Sequence, residues 1–196
     1  MKLSTFIFNT IAPIYGLFFN SQVKNYKKII TKQKTDFNLL AFNEILDVGC
    51  GTGALMTALT ELGMEVTGIE IAKNMLKVAK KKVKAKEIKC IEGDVLNTLP
   101  FKDKEFPITI AAFVAHGLKP KEREVMYEEM KRVSKKYVIF HDYNKKRNIL
   151  TDIIEFLERG DYFYFIKHAK SEMEKHFSHV RVLNVDKRAC WYICKI

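Results

Sequence analysis

The chain has 196 residues, 47% of them hydrophobic, which suits one α/β unit with a sizeable core and leaves little for a second domain. Its net charge of +11 comes from 34 Lys and Arg against 23 Asp and Glu, with no arginine-rich block and no aromatic interleaving of the kind that stacks bases, which leaves a nucleic-acid partner open without favouring one. The apolar run from Ile11 to Phe19 is broken by Pro13 and Gly16. It is too short to span a bilayer and lacks a small-residue cleavage site, which argues against a membrane span and a signal peptide.

In chain order, residues 1–40 read as a helical N-terminal cap and residues 41–196 as the core of a single domain. Glu44–Val48 is a strand, followed by a helix over Ala54–Leu62 that Gly63 closes. Glu65–Ile69 is the second strand, and Ala72–Val83 a helix with Met75, Leu76, Ala79 and Val83 inward and its lysines outward. Strands at Ile88–Glu92 and Pro107–Val114 precede a helix over Pro120–Val133. That helix has proline in its first turn, where a missing N–H costs nothing, and Val125, Met126, Met130 and Val133 on one face. A fifth strand covers Tyr137–Asp142, and helices over Asn148–Leu157 and Tyr162–His176 are parted by Gly160. Val180–Val185 and Ala189–Lys195 are joined by so short a turn that they must pair antiparallel. Strand and helix alternate, so the fold class is α/β, a mostly parallel sheet with helices on both faces.

Cysteine usage adds no framework. Cys50 lies in a glycine loop and Cys90 in a strand, while Cys190 and Cys194 are four apart on another strand, roughly 13 Å at 3.3 Å per residue. With no C-x-x-C and no His/Cys cluster, the expectation is reduced thiols, no metal and a cytoplasmic protein.

The run Ile45-Leu46-Asp47-Val48-Gly49-Cys50-Gly51-Thr52-Gly53 carries the chemistry. A buried parallel strand that passes to a helix through glycines presents backbone N–H groups at the loop and lets the chain approach a ligand closely, since glycine has no Cβ. Gly49, Gly51 and Ala54 also satisfy the loose dinucleotide pattern G-x-G-x-x-G/A, with Glu70 about 20 residues on, so NAD is one candidate. Asp47 argues otherwise, because a carboxylate facing the loop suits a ligand's ammonium better than a pyrophosphate. Gly53 gives the tighter G-x-G-x-G form, and a further acid, Asp94, follows the third strand.

The set Asp47-x-Gly-x-Gly-x-Gly, then Glu70, then Gly93-Asp94 resembles the class I S-adenosylmethionine-dependent methyltransferases. Phe8-Asn9-Thr10-Ile11-Ala12-Pro13-Ile14-Tyr15 is similar to the opening helix of their small-molecule branch, which includes quinone-biosynthesis methyltransferases. The resemblance implies a Rossmann-like, doubly wound, mostly parallel seven-stranded sheet with a C-terminal antiparallel hairpin. It implies S-adenosyl-L-methionine as cofactor, with the loop against its methionine end, Glu70 on the ribose hydroxyls, Asp94 on the adenine amino group and Tyr15 near the amino-acid end. The chain departs from the family after Phe106, where Pro107 stands in place of the usual aspartate. Tyr162-Phe163-Tyr164-Phe165 falls where the family inserts elements that cap the substrate, or else is ordinary core.

Ligands of open α/β sheets bind beyond the carboxyl ends of the strands. The cofactor-binding candidates are therefore Asp47, Gly49, Cys50, Gly51, Gly53, Glu70, Ile71, Asp94, Val95, Tyr15 and Phe113. The catalytic candidates are His116, His141 and Tyr143, at the ends of the fourth and fifth strands, because an imidazole titrates near neutral pH and can take an acceptor's proton. Each histidine also has a purely structural reading. A sulfonium methyl is already activated, so alignment of a nucleophile is the protein's main task, and proximity can supply roughly 7–11 kcal/mol. The tetrapeptide N/D-P-P-Y/F of nucleic-acid amino methyltransferases is missing, with Ala112-Phe113-Val114-Ala115 in its place. The expected function is methyl transfer to a small-molecule acceptor by a monomer or homodimer. Methylation of RNA or protein, and cofactor binding without turnover, stay as alternatives.

Overall fold

The computed structural model describes residues 9, 10, 12–14, 16–83, 89–146 and 161–196. Seven strands form one sheet, numbered in chain order and arranged β3-β2-β1-β4-β5-β7-β6. The chain divides into two compact units, Met1–Asp94 and Val95–Ile196.

In the first unit β1 (Glu44–Val48) pairs in parallel with β2 (Glu65–Glu70), and β2 with β3 (Lys89–Glu92). Ile45, Leu46 and Val48 are all buried, as a strand covered on both faces requires. Its numbered helices are α1 (Phe19–Lys32), α2 (Ala54–Glu61) and α3 (Lys73–Lys82). Phe19 and Val23 of α1 pack on Ala54 and Ala58 of α2, with Tyr26 against them. On α3 the buried residues are Met75, Leu76 and Ala79, and the lysines point outward as the spacing predicts.

In the second unit β4 (Phe106–Ala112) runs parallel to β5 (Ser134–Tyr143). Their register shifts between Phe106 and Ile108, around Pro107, which has no N–H to give the ladder. The strand thus starts one residue earlier than expected and ends two earlier, because Phe113 turns to a positive φ of 55°. β5 begins directly at the end of α4 (Pro120–Val133), three residues before the sequence-based start. Glu122 accepts the Lys119 N–H at 3.0 Å and closes the first turn of α4. Val125 does not share the buried face of α4; it is 46% exposed, and Arg123 and Tyr127 lie buried with Met126, Met130 and Val133 instead. The α5 helix (Tyr162–Met173) is three residues shorter than predicted. Antiparallel pairing joins β7 (Ala189–Lys195) to both β5 and β6 (His179–Asn184), which bears out the terminal hairpin. The helix expected over Asn148–Leu157 lies outside the described residues.

Candidate functional site

The glycine loop is built from backbone that other residues rarely adopt. Gly49, Gly51 and Gly53 have φ of 73°, 54° and 81°. A Cβ on Gly53 would stand 2.7 Å from a Val83 methyl, whereas one on Gly51 would meet no heavy atom within 4 Å. Several loop N–H groups already have partners. Gly49 and Cys50 donate to the Ile69 carbonyl at 2.8 and 3.1 Å, Gly53 donates to the Cys50 carbonyl at 2.9 Å, and Gly51 donates to Glu70 Oε2 at 2.9 Å. The N–H groups that the sequence places at the loop for a ligand are thus largely taken up within the fold.

Glu70 therefore ties two elements together, since its Oε1 also accepts the Ala72 N–H at 2.8 Å, just before α3. Burial raises its pKa, and the N–H groups of Ala72, Gly51 and Ile71 pull the other way. Asp47 is the opposite case. It is 1% exposed, and neither carboxylate oxygen has a hydrogen-bond partner among the described residues. Burial first, then the charges of Glu70 and Cys90, push its pKa well up. An ionised carboxylate in such a place needs a cation or a donor brought by something else. Asp94 follows Gly93 after β3 and is half-buried, as is Val95, while Ile71 is exposed. Tyr15 lies outside the described residues.

The sequence reading treated Cys50 and Cys90 as unrelated, and the structure brings them together. The interaction between their thiols raises Cys50, as burial also does, and lowers Cys90 to about 7 against the effect of burial. Cys90 pairs with Gly68 in the β2–β3 register, and a Cβ on Gly68 would stand 2.8 Å from the Cys50 sulfur. Only the parallel register reveals this neighbourhood; sequence spacing gives no sign of it.

In the second unit the ends of β4 and β5 gather an aromatic group. The Phe113 ring, on its left-handed backbone, stands edge-on to His141 at 5.0 Å and to Tyr143 at 5.1 Å. Tyr143 in turn meets His116 at 4.8 Å and Tyr162 at 5.0 Å. A positive φ on a bulky residue is strain of the kind found at functional sites.

The two histidines are held differently. His141 is 2% exposed and its Nδ1 accepts the Trp191 Nε1–H at 2.8 Å. Indole is only a donor, so Nδ1 carries no proton, and burial pushes the imidazole down to about 4 despite Asp142 and Asp186. His116 sits in the 3-10 turn Ala115–Gly117 with Nδ1 2.8 Å from Asp142 Oδ1, while Asp142 Oδ2 accepts the His116 backbone N–H at 3.3 Å. Asp142 is fully buried and also accepts the Tyr143 N–H at 2.8 Å. Such a carboxylate favours the tautomer with the proton on Nδ1 and the basic lone pair on Nε2.

Sequence reasoning also missed what steadies this turn. Arg123, fully buried, donates to both oxygens of Glu172 at 2.7 and 2.8 Å and to the Leu118 carbonyl. It stands 3.0 Å from Asp161 Oδ2, at ion-pair distance but off the hydrogen-bond axis, and the Asp161 N–H donates to the His116 carbonyl at 3.1 Å. Arg123 stands three and four residues before Met126 and Tyr127 on the buried face of α4, and that spacing was the available signal.

A methyltransferase-domain family matches residues 45–137, the stretch from the first strand through the glycine loop into β5. The demethylmenaquinone methyltransferase of Staphylococcus aureus is 34% identical over 138 residues, which are 66% of this chain and 54% of that protein. Residues 45–137 thus resemble a class I methyltransferase domain. It spans about half the length of the curated relatives it matches. Among solved structures, a Methanococcus maripaludis protein assigned to the S-adenosylmethionine-dependent methyltransferases superposes with a TM-score of 0.70 at 16% identity, covering 95% of this chain and 92% of that one. Magnesium protoporphyrin IX methyltransferase of Synechocystis, solved with bound S-adenosylhomocysteine, gives 0.63 at 16% identity over 88% and 82%. These likenesses show the fold, the Rossmann-like sheet with its antiparallel hairpin. Asp47, the three glycines, Glu70, Asp94, Phe113 and His116 all fall inside the matched methyltransferase domain, whereas His141, Asp142 and Tyr143 fall just beyond it.

Proposed function

We propose that this chain is an S-adenosylmethionine-dependent methyltransferase acting on a small-molecule acceptor. The observation that carries the proposal is Asp47, a buried carboxylate without a hydrogen-bond partner among the described residues, two residues before the first of the left-handed glycines. That combination fits a ligand with an ammonium group. When bound, the cofactor supplies an activated methyl on a sulfonium sulfur.

The chain's own residues do the rest. Asp47 would hold the ammonium, Gly51 would let the backbone come close, and Gly53 would keep the loop's turn against Val83. Glu70, already fixed by Gly51 and Ala72, would accept from the ribose hydroxyls, and Asp94 from the adenine amino group. On the acceptor side Phe113, Tyr143 and Tyr162 offer ring edges suited to a planar molecule. His116, oriented by Asp142, would take the acceptor's proton, and His141 would keep the wall in shape. The staphylococcal relatives are named for demethylmenaquinone, which places a ring-bearing small molecule first among acceptors to try. The same reading takes residues 1–196 as one methyltransferase domain working in the cytoplasm, as a monomer or homodimer. Among the described residues no helix is long and apolar enough to cross a membrane.

The test is calorimetry with S-adenosylmethionine, S-adenosylhomocysteine and NAD, followed by turnover with radiolabelled methyl donor and a metabolite extract. Binding of the first two without NAD, and label in an extract component, is the expected result. Binding without turnover would make the chain a binder, and NAD binding would overturn the cofactor assignment.

A further inference from the structure

The N-terminal helical stretch is built inside out. Residues 9–10, 12–14 and 16–17 are helical. The face that packs on α3 carries its smallest side chains. Asn9 accepts the Asn74 backbone N–H on its Oδ1 at 2.9 Å and the Asn74 side-chain amide on its carbonyl at 3.0 Å, Ala12 is buried with Ala72 and Met75, and a Cβ on Gly16 would stand 3.4 Å from Val78. Those positions step by three and four, so they share one side of the helix. The large apolar residues among those described lie on the other side: Ile14 is 56% exposed, Leu17 81% and Phe18 59%. An ordinary surface helix has the reverse arrangement.

The exposed side continues into α1 without a break in spacing. Phe18 keeps near-helical backbone and its carbonyl accepts the Gln22 N–H at 2.9 Å, so the turn carries on. Leu17, Ser21, Lys24, Lys28 and Lys32 then follow at steps of three and four, all exposed, opposite the buried Phe19, Val23, Ile29 and Ile30. The neighbouring α3 turns Lys73, Lys77, Lys80 and Lys81 to solvent as well. One surface thus begins with three clustered apolar side chains and runs on into lysines.

We infer that this surface docks on an anionic lipid membrane, with Ile14, Leu17 and Phe18 entering the boundary between headgroups and acyl chains and the lysines of α1 lying over the headgroup phosphates. Apolar insertion and electrostatic attraction together are what surface-bound helices use, and neither alone holds a protein firmly. A polyanion such as RNA would account for the lysines and leave the apolar cluster unexplained. A second copy of a chain with net charge +11 would bring lysines against lysines. The inference stands apart from the catalytic reading, because none of these side chains belongs to the cofactor or acceptor residues.

The experiment is co-sedimentation of the whole chain with vesicles of equal parts phosphatidylglycerol and phosphatidylcholine, against phosphatidylcholine alone. Wild type should pellet with the anionic vesicles and release as salt is raised. The double variant Leu17→Ser/Phe18→Ser should partition on the order of a hundredfold more weakly, and the triple variant Lys24→Gln/Lys28→Gln/Lys32→Gln by about as much. Both sets are surface positions, and thermal melts will show that the variants fold. Wild type left in the supernatant, or either variant partitioning like wild type, overturns the inference. So does a concentration-dependent dimer dispersed by the apolar variant, which would give the face to a second copy. RNA binding that only the lysine variant loses, without vesicle binding, would likewise overturn it. Cofactor calorimetry on the same samples keeps a failure here distinct from a failure of the proposed activity.

Discussion

Asp47 and Asp142 are both buried aspartates near the carboxyl ends of parallel strands, and they are satisfied in opposite ways. Asp142 accepts from the His116 ring, the His116 backbone and the Tyr143 backbone. Asp47 accepts from no described residue, and burial together with Glu70 and Cys90 raises its pKa. A carboxylate whose partners come with the fold positions something, whereas one without them destabilises the fold until a ligand supplies the missing charge. The contrast separates scaffold from binding group more sharply than burial alone.

The largest effect should come from removing the satisfied one. Asp142→Ala leaves the buried His116 ring and two N–H groups without their acceptor, and breaking a buried charged network typically costs about 3–5 kcal/mol. Urea denaturation should show a fall of that size in unfolding free energy, with the 3-10 turn at Ala115–Gly117 the first segment to lose amide protection. A loss under about 1 kcal/mol would mean that Asp142 holds nothing.

Removing the unsatisfied one should act in the other direction. The raised pKa of Asp47 means that its stabilising contribution is present while it is protonated and is lost as pH rises through the folded-state value. At neutral pH, Asp47→Asn should therefore stabilise the cofactor-free protein, by about 1–2 kcal/mol or a few degrees in Tm. The same change should weaken S-adenosylmethionine by about 1.5–3 kcal/mol, the range for hydrogen bonds to a charged group. Calorimetry and melting on one sample read both. A variant that loses stability and keeps its affinity would reverse the roles given to the two aspartates.

Much of this contrast was legible in the sequence, and the rest was hidden for physical reasons. The spacing of Asp47, the glycines, Glu70 and Asp94 announced the loop because glycine at a positive φ and a carboxylate at a strand end are local requirements. The terminal hairpin was equally plain, since a turn that short permits only antiparallel pairing. Partners set by strand register were not visible, and Cys50 against Cys90 is the clearest case. Nor was the burial of Arg123, which depends on Glu172 arriving from α5, a helix 49 residues further along the chain. Val125 was misassigned because Arg123 and Tyr127 took the buried positions that an apolar count would give to valine. His116 and His141 looked equivalent because both end neighbouring strands; Trp191 and Asp142 distinguish them, and neither pairing follows from spacing.

That last distinction gives the smallest predicted effect. The imidazole of His141, pushed down to about 4 by burial, stays neutral in the fold, whereas in the unfolded chain it titrates near 6.5. Between those values the unfolded chain binds the extra proton, so this group's contribution to stability is present above about pH 6.5 and is lost as pH falls toward 4. His141→Gln keeps an acceptor for the Trp191 N–H and removes the titration. Its unfolding free energy should be within about 1 kcal/mol of wild type at pH 7 and should fall by about 1–2 kcal/mol less than wild type on going to pH 4.5. Turnover, once an acceptor is in hand, should keep its acid limb in His141→Gln and lose it in His116→Gln, because only His116 is held with a basic Nε2 by a buried carboxylate. An acid limb that vanishes with His141, or survives both changes, would remove His116 from proton transfer and leave alignment of the acceptor as the protein's whole contribution on that side.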